Sequence, residues 1–242
     1  MSETIERDLE VFVGGRRVPA VLWTPGGMKG PFPIVLVGHG GGGHKRVSLV
    51  VDMAKGFAKD HGIATLAIDG PVNGDREANT AEALQLREKD PKAYRLKYYT
   101  DKYDEMVEDW QAALEVAMTF PEISKTAVGY WGVSMGTRFG LPLVAAEKRV
   151  KAAVLGLFGY GQGASANQRV YEDAPKINVP VLFLQQLADE MIPNKAYWDL
   201  FQMLGTQNKR LHASPGGHVE IPAEEKIASR WYLANRLAEI ES

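Results

Sequence analysis

Cysteine is missing from all 242 residues, which excludes disulfides, thiolate metal sites, iron–sulfur clusters and a cysteine nucleophile. Also missing is any apolar run near the ~18 residues that a membrane-spanning helix requires. Neither sign of charge is in excess. The 28 basic and 30 acidic residues leave a formal net charge of −2, far from the basic field that binding to nucleic acid or an anionic membrane draws on. No Gly-Lys-[Ser/Thr] phosphate loop and no H-E-x-x-H zinc helix occurs, and His39 and His44 stand five apart on a glycine run, not on a helix face. The first residues, Met1 to Asp8, are charged and lack an apolar h-region. The expectation is a soluble, cytoplasmic chain without a leader, with no nucleic-acid or membrane partner.

What the sequence does contain is 45% apolar residues, 25 glycines and 13 prolines. A core of this size buries about 70–75% of the unfolded chain's surface, so no staples are needed. Residues 8–13 and 18–23 are β-prone runs around Gly14-Gly15, a hairpin signal. Five later runs, 34–37, 63–68, 127–131, 152–157 and 179–184, are almost continuously apolar, as strands of a parallel sheet covered on both faces must be. Helix-like segments alternate with them at 47–60, 101–118, 135–147, 194–204 and 223–240. In 101–118, Tyr103, Met106, Trp110, Ala113 and Ala117 form one stripe; in 223–240, Ile227, Trp231, Ala234 and Ala238 form another. This alternation predicts an α/β fold in one domain, 1–242, with a mostly parallel central sheet, antiparallel strands at the N-terminal edge and helices on both faces. Two stretches break the rhythm: a charged, tyrosine-bearing insertion at 70–100 and a glycine-rich loop at 156–176.

Gly132-Val133-Ser134-Met135-Gly136 is a G-x-S-x-G sequence between a strand and a helix. A serine at the tip of such a turn presents its hydroxyl at the sheet edge, and glycines on either side remove side chains that would collide there. The Met135 N–H, at the helix start, then faces a developing oxyanion. The competing reading is that Ser134 merely caps the helix. A serine nucleophile needs a base and an orienting acid, and both belong beyond the carboxyl ends of later strands. Asp189 lies five residues past the run 179–184, with Glu190 as an adjacent rival and helix capping as the alternative role. His218 follows Gly216-Gly217 after a further predicted strand at 209–213. His61 falls at the wrong end of the sheet, and His212 within a strand.

The second oxyanion donor is expected in Gly38-His39-Gly40-Gly41-Gly42-Gly43-His44, where backbone N–H groups can approach a carbonyl closely. The Gly41 N–H is favoured, with Gly40 as its alternate. The same glycines also fit G-x-G-x-x-G at 38, 40 and 43, with Asp69 placed as a ribose-binding acid. That dinucleotide-binding reading leaves Ser134, Asp189 and His218 unexplained.

The ordered elements H-G-G-G, G-x-S-x-G, D-E-x-[I/V]-P and G-G-H resemble the α/β-hydrolase superfamily, and within it the dienelactone-hydrolase-like serine esterases and related peptidase domains. The resemblance runs from about residue 10 to the end, and Gly74-Asp75-Arg76 is similar to a turn common there. Dienelactone hydrolases proper use a cysteine nucleophile, whereas Ser134 stands here. The resemblance implies a carboxylesterase acting on small to medium esters through an acyl-enzyme, with Ser134, Asp189 and His218 as the triad and no metal or organic cofactor. A peptidase, amidase or lactone hydrolase shares this chemistry, and a non-catalytic small-molecule binding protein is the alternative of another class. Candidate substrate-binding residues are His39, Tyr94, Tyr98, Phe158 and Tyr160; packing of the aromatic rings onto the domain is their competing role. A homodimer is compatible with the sequence.

Overall fold

The computed structural model describes residues 4–76, 81–161 and 167–241. Residues 77–80 of the insertion, and 162–166 with Gly163, lie outside the described residues. The hairpin forms from β1 (Thr4–Val13) and β2 (Arg16–Pro25), turning at Gly14-Gly15 with φ of 52° and 83°. The continuous apolar runs become β3 (Phe32–Gly38), β4 (Ala64–Ile68), β5 (Ile123–Gly132), β6 (Val150–Gly156) and β7 (Val181–Gln186), followed by β8 (Lys209–Ser214). Together they make one eight-stranded sheet in the order β1-β2-β4-β3-β5-β6-β7-β8. Strands β1 and β2 are antiparallel to each other and β2 is antiparallel to β4; every other neighbouring pair is parallel.

Helices α1 (Ser48–His61), α4 (Tyr103–Ala117), α5 (Met135–Ala146) and α8 (Ala223–Glu241) cover the sheet, and α7 (Asn194–Met203) packs on β7. The predicted stripe of α4 is buried along its whole length. The stripe predicted for α8 is not. Leu233 and Leu237 are the buried apolar residues there, seated over Gly129 of β5, while Ile227 and Trp231 are 48% and 56% exposed. Gly129 offers a flat patch on which two leucines four residues apart settle, and this rotates the predicted stripe outward. Trp231 instead rests edge-on against His61 at the end of α1, with ring centroids 5.2 Å apart.

The insertion holds two short helices, α2 (Ala81–Lys89) and α3 (Pro91–Tyr99), the second capped by Asp90, which accepts from the Lys92 and Ala93 N–H groups. The 156–176 stretch, read as a loop, contains α6 (Gln168–Asp173) and a 3₁₀ turn at Ala174–Lys176. Because β3 lies between β4 and β5, the chain leaves its carboxyl end first toward one side and later toward the other. The crevice at that switch point is where open α/β sheets place their sites.

Candidate active site

Strand β5 ends at Gly132 beside Gly38 of β3, so the G-x-S-x-G turn and the glycine loop leave the sheet side by side. Ser134 sits at the start of α5 with φ 56° and ψ −118°, a conformation that costs a non-glycine residue about 1–3 kcal/mol. The turn is locked from several sides. A Cβ on Gly136 would stand 2.6 Å from the Gly38 carbonyl oxygen, so only glycine lets α5 start this close to β3. The Ser134 N–H donates to the Gly156 carbonyl at 2.9 Å, and Tyr130 Oη donates to the Gly136 carbonyl at 2.6 Å. Thr137 Oγ1 accepts the Gly156 N–H at 2.7 Å and lies 2.9 Å from the Gly132 carbonyl oxygen. The Ser134 hydroxyl caps nothing in α5, which removes the capping alternative. It lies 2.9 Å from His218 Nε2.

His218 reaches the serine because the loops after β7 and β8 are laced together. The Leu187 N–H donates to the Ser214 carbonyl at 2.9 Å, the Ala188 N–H to the Gly216 carbonyl at 3.0 Å, and Gln186 Nε2 to the Glu220 carbonyl at 2.6 Å. Across this seam His218 Nδ1 stands 2.7 Å from Asp189 Oδ2, with both side chains buried. Asp189 Oδ1 accepts the Met191 and Ile192 N–H groups at 2.7 and 2.9 Å, and Oδ2 also accepts from the Tyr197 hydroxyl. Burial pushes the Asp189 carboxyl up; the hydrogen bonds from Tyr197, His218 and the two backbone N–H groups outweigh it and hold it below the usual carboxylate range. An ionised Asp189 only accepts, so Nδ1 carries the imidazole proton and Nε2 is left with a lone pair toward Ser134.

The rival acid is placed differently: Glu190 Oε2 accepts the His218 backbone N–H at 3.1 Å. The other histidines are engaged elsewhere. His212 Nδ1 meets Glu225 at 2.9 Å, and His44 Nδ1 accepts the Arg46 N–H.

In the glycine loop, the Gly43 N–H closes a turn onto the Gly40 carbonyl at 3.1 Å, with Gly42 at φ 78°, the positive φ of a type II turn. Among the described residues, neither the Met135 nor the Gly41 N–H has a hydrogen-bond partner. His39, expected among the substrate ligands, turns inward instead. Its Nδ1 donates to the Gly40 carbonyl and its Nε2 accepts the Gly70 N–H, both at 2.8 Å, so both ring nitrogens are spent on backbone. Burial lowers its imidazole below the ordinary range, in keeping with a neutral ring. Asp69, the acid of the dinucleotide-binding reading, is fully buried and accepts the Lys45 N–H (2.7 Å), Lys45 Nζ (2.8 Å) and the Asp75 N–H (2.8 Å). Sealed from solvent in this way, the carboxylate is not open to a ribose.

Of the aromatic candidates, Tyr94 and Phe158 are buried, Tyr98 half-buried and Tyr160 45% exposed. The rings of Tyr94, Tyr99, Phe139 and Tyr103 succeed one another at centroid spacings of 5.4–5.8 Å, joining α3 and α4 to α5. The Tyr160 and Tyr171 rings meet at a tilt, with centroids 4.7 Å apart.

The profile of the dienelactone hydrolase family matches residues 18–214. The chain is 34% identical to a cold-adapted esterase from an Arctic intertidal metagenomic library, solved with PEG bound; the match covers 96% of this chain and 93% of that one, with a TM-score of 0.81. Est1E from Butyrivibrio proteoclasticus, solved with ferulic acid, shares the fold at 16% identity over 95% of this chain and 99% of that one, with a TM-score of 0.73. The quorum-quenching protein AidA of Acinetobacter baumannii is 27% identical over 122 residues, which are 50% of this chain and 34% of that protein. The chain thus matches about a third of that relative's length.

Proposed function

The chain belongs to the dienelactone hydrolase family, and from that premise we propose a serine hydrolase that cleaves small to medium carboxyl esters through an acyl-enzyme. The observation that carries this reading is the imidazole of His218 held between Asp189 Oδ2 at 2.7 Å and Ser134 Oγ at 2.9 Å. In the proposed reaction His218 Nε2 takes the Ser134 proton as Oγ attacks the ester carbonyl. Asp189 stabilises the imidazolium that forms and remains ionised. The Met135 and Gly41 N–H groups, with Gly40 as the alternate to Gly41, receive the oxyanion; each such donor is worth about 3–4 kcal/mol in the transition state. Collapse of the tetrahedral intermediate breaks the bond to the alkoxy oxygen, which leaves as the alcohol with the proton from His218. Water, deprotonated by the same nitrogen, then releases the acid and restores Ser134. This sequence needs no metal and no organic cofactor.

Tyr94, Tyr98, Phe158 and Tyr160 are the proposed pocket walls, and the α2–α3 insertion its flap. Labelling with a fluorophosphonate probe tests the reading. Native protein should be modified at Ser134, and heat-denatured protein or the Ser134→Ala variant should not. A native protein that resists the probe is instead a binding protein on this fold. A panel of p-nitrophenyl esters of increasing acyl length, run beside anilides and lactones, should show turnover highest on the shorter esters; faster anilide hydrolysis would favour an amidase.

A further inference from the structure

Tyr197 lies in the first turn of α7, well removed along the chain from the serine at the start of α5, yet its hydroxyl donates to Asp189 Oδ2, the oxygen that also accepts His218 Nδ1–H. Its ring is fully buried and stands edge-on to Phe183 of β7, with centroids 6.5 Å apart. With Met191 and Ile192 on Oδ1, the carboxylate of Asp189 is bound by two donors on each oxygen. We propose that Tyr197 is a positioning residue for the acid–base pair: its O–H fixes the carboxylate's rotation and draws charge from the oxygen facing His218, and so sets the basicity of the base that activates Ser134. The inference rests on the Ser134–Asp189–His218 reading above.

A phenylalanine would fill the same space against Phe183, so packing alone does not call for the hydroxyl. A buried phenol also needs a partner. Here the partner is Asp189 Oδ2, an oxygen whose charge reaches the imidazole through a single hydrogen bond. The charged groups around His218 are Asp189 at Nδ1, Glu190 at its backbone N–H and Glu220 at the N–H of Gly217, with the neutral Ser134 at Nε2. Neither the Glu190 nor the Glu220 bond involves Tyr197, so a shift in the titration of the base on changing Tyr197 reports the phenol.

The sign follows from the hydrogen bond. Removing the Tyr197 donor leaves more negative charge on Asp189 Oδ2, which favours the imidazolium. Tyr197→Phe should therefore move the acid limb of kcat/KM to higher pH by about half a unit or more. On the plateau kcat should fall severalfold with KM within about twofold, because a freer carboxylate misorients the base without touching substrate binding. Site-specific 3-fluorotyrosine at position 197 keeps the shape and is a stronger donor, so it should move the same limb to lower pH. In an Asp189→Asn background, Tyr197→Phe should leave the limb in place. If the limb is unmoved in both the phenylalanine and fluorotyrosine proteins, Tyr197 is a packing residue and the inference fails. If Ser134→Ala retains turnover, the triad reading has failed instead.

Discussion

Ser134 carries two demands in one residue: a hydroxyl aimed at His218 and a backbone at φ 56° that side chains rarely adopt. The two separate by substitution. Ser134→Ala keeps the strained Cβ and loses the nucleophile, so kcat on an activated ester should drop by about 10⁶ if the triad acts as a unit. Ser134→Gly loses the nucleophile as well but relieves the strain, and should raise the unfolding free energy by about 1 kcal/mol after the entropy cost of glycine. Urea titration of the two inactive variants side by side measures the difference; equal midpoints would mean that the turn stores no strain. Ser134, Asp189 and His218 could be proposed from the sequence because the chemistry asks for scarce polar residues in glycine-marked turns after strands. The sequence favours Asp189 with Glu190 as its rival, but it does not spell out which carboxylate the seam between the β7 and β8 loops turns toward the imidazole. Thr137 and Tyr197 left no local signal: Thr137 Oγ1 joins the turn to Gly156 of β6, and Tyr197 reaches Asp189 across the turn between β7 and α7. The inward turn of His39 left no local signal either, since its Nε2 finds its partner 31 residues downstream.

At the scale of the element, the segment between β3 and α1 is clamped twice to the segment after β4, by His39 on the Gly70 N–H and by Lys45 on Asp69. Both clamps are buried, and each has its own consequence. Lys45→Met strands a fully buried Asp69 carboxylate, and should cost about 3–5 kcal/mol in urea unfolding; Lys45→Met with Asp69→Asn should recover part of it. A single variant within 1 kcal/mol of the parent, at roughly the level of an exposed pair, would contradict the clamp. The His39 clamp is a pH effect. Burial depresses its folded pKa below the ordinary 6.5, so between those values the unfolded chain binds a proton that the native chain refuses. The stability it contributes is complete above 6.5 and falls as pH drops toward the folded value. His61, also lowered by burial, adds to the same slope. His39→Gln should flatten the loss of stability between pH 7.5 and 5 more than His61→Gln does, and unchanged slopes in both would refute it. The strands were legible element by element because burial on both faces writes a continuous apolar run. The face of α8 was not, because Leu233 and Leu237 answer to a glycine on β5 that periodicity within the helix cannot see.

Across the whole molecule, the proposed site draws its groups from strands of unequal security. Ser134 follows β5, which is held between β3 and β6 in the middle of the sheet. His218 follows β8, an edge strand paired only with β7, whose residues are all half-buried or exposed. Among the described residues, no helix packs along β8 as α8 does along β5 and β6; one side-chain tie to α8 is His212 to Glu225 at 2.9 Å, itself partly exposed. Stability is distributed unevenly in such an arrangement, and a segment with few buried apolar contacts opens below the global transition. Rising urea should therefore detach the β8 edge, and His218 with it, before the core around Trp23, Trp110 and Trp131 opens. Ester turnover assayed within the denaturant should fall at a lower urea concentration than far-UV circular dichroism reports, and hydrogen exchange in β8 should precede that in β5. Coincidence of the activity and dichroism curves, with equal protection in the two strands, would show that the sheet opens as one unit and that the edge carries no separate weakness.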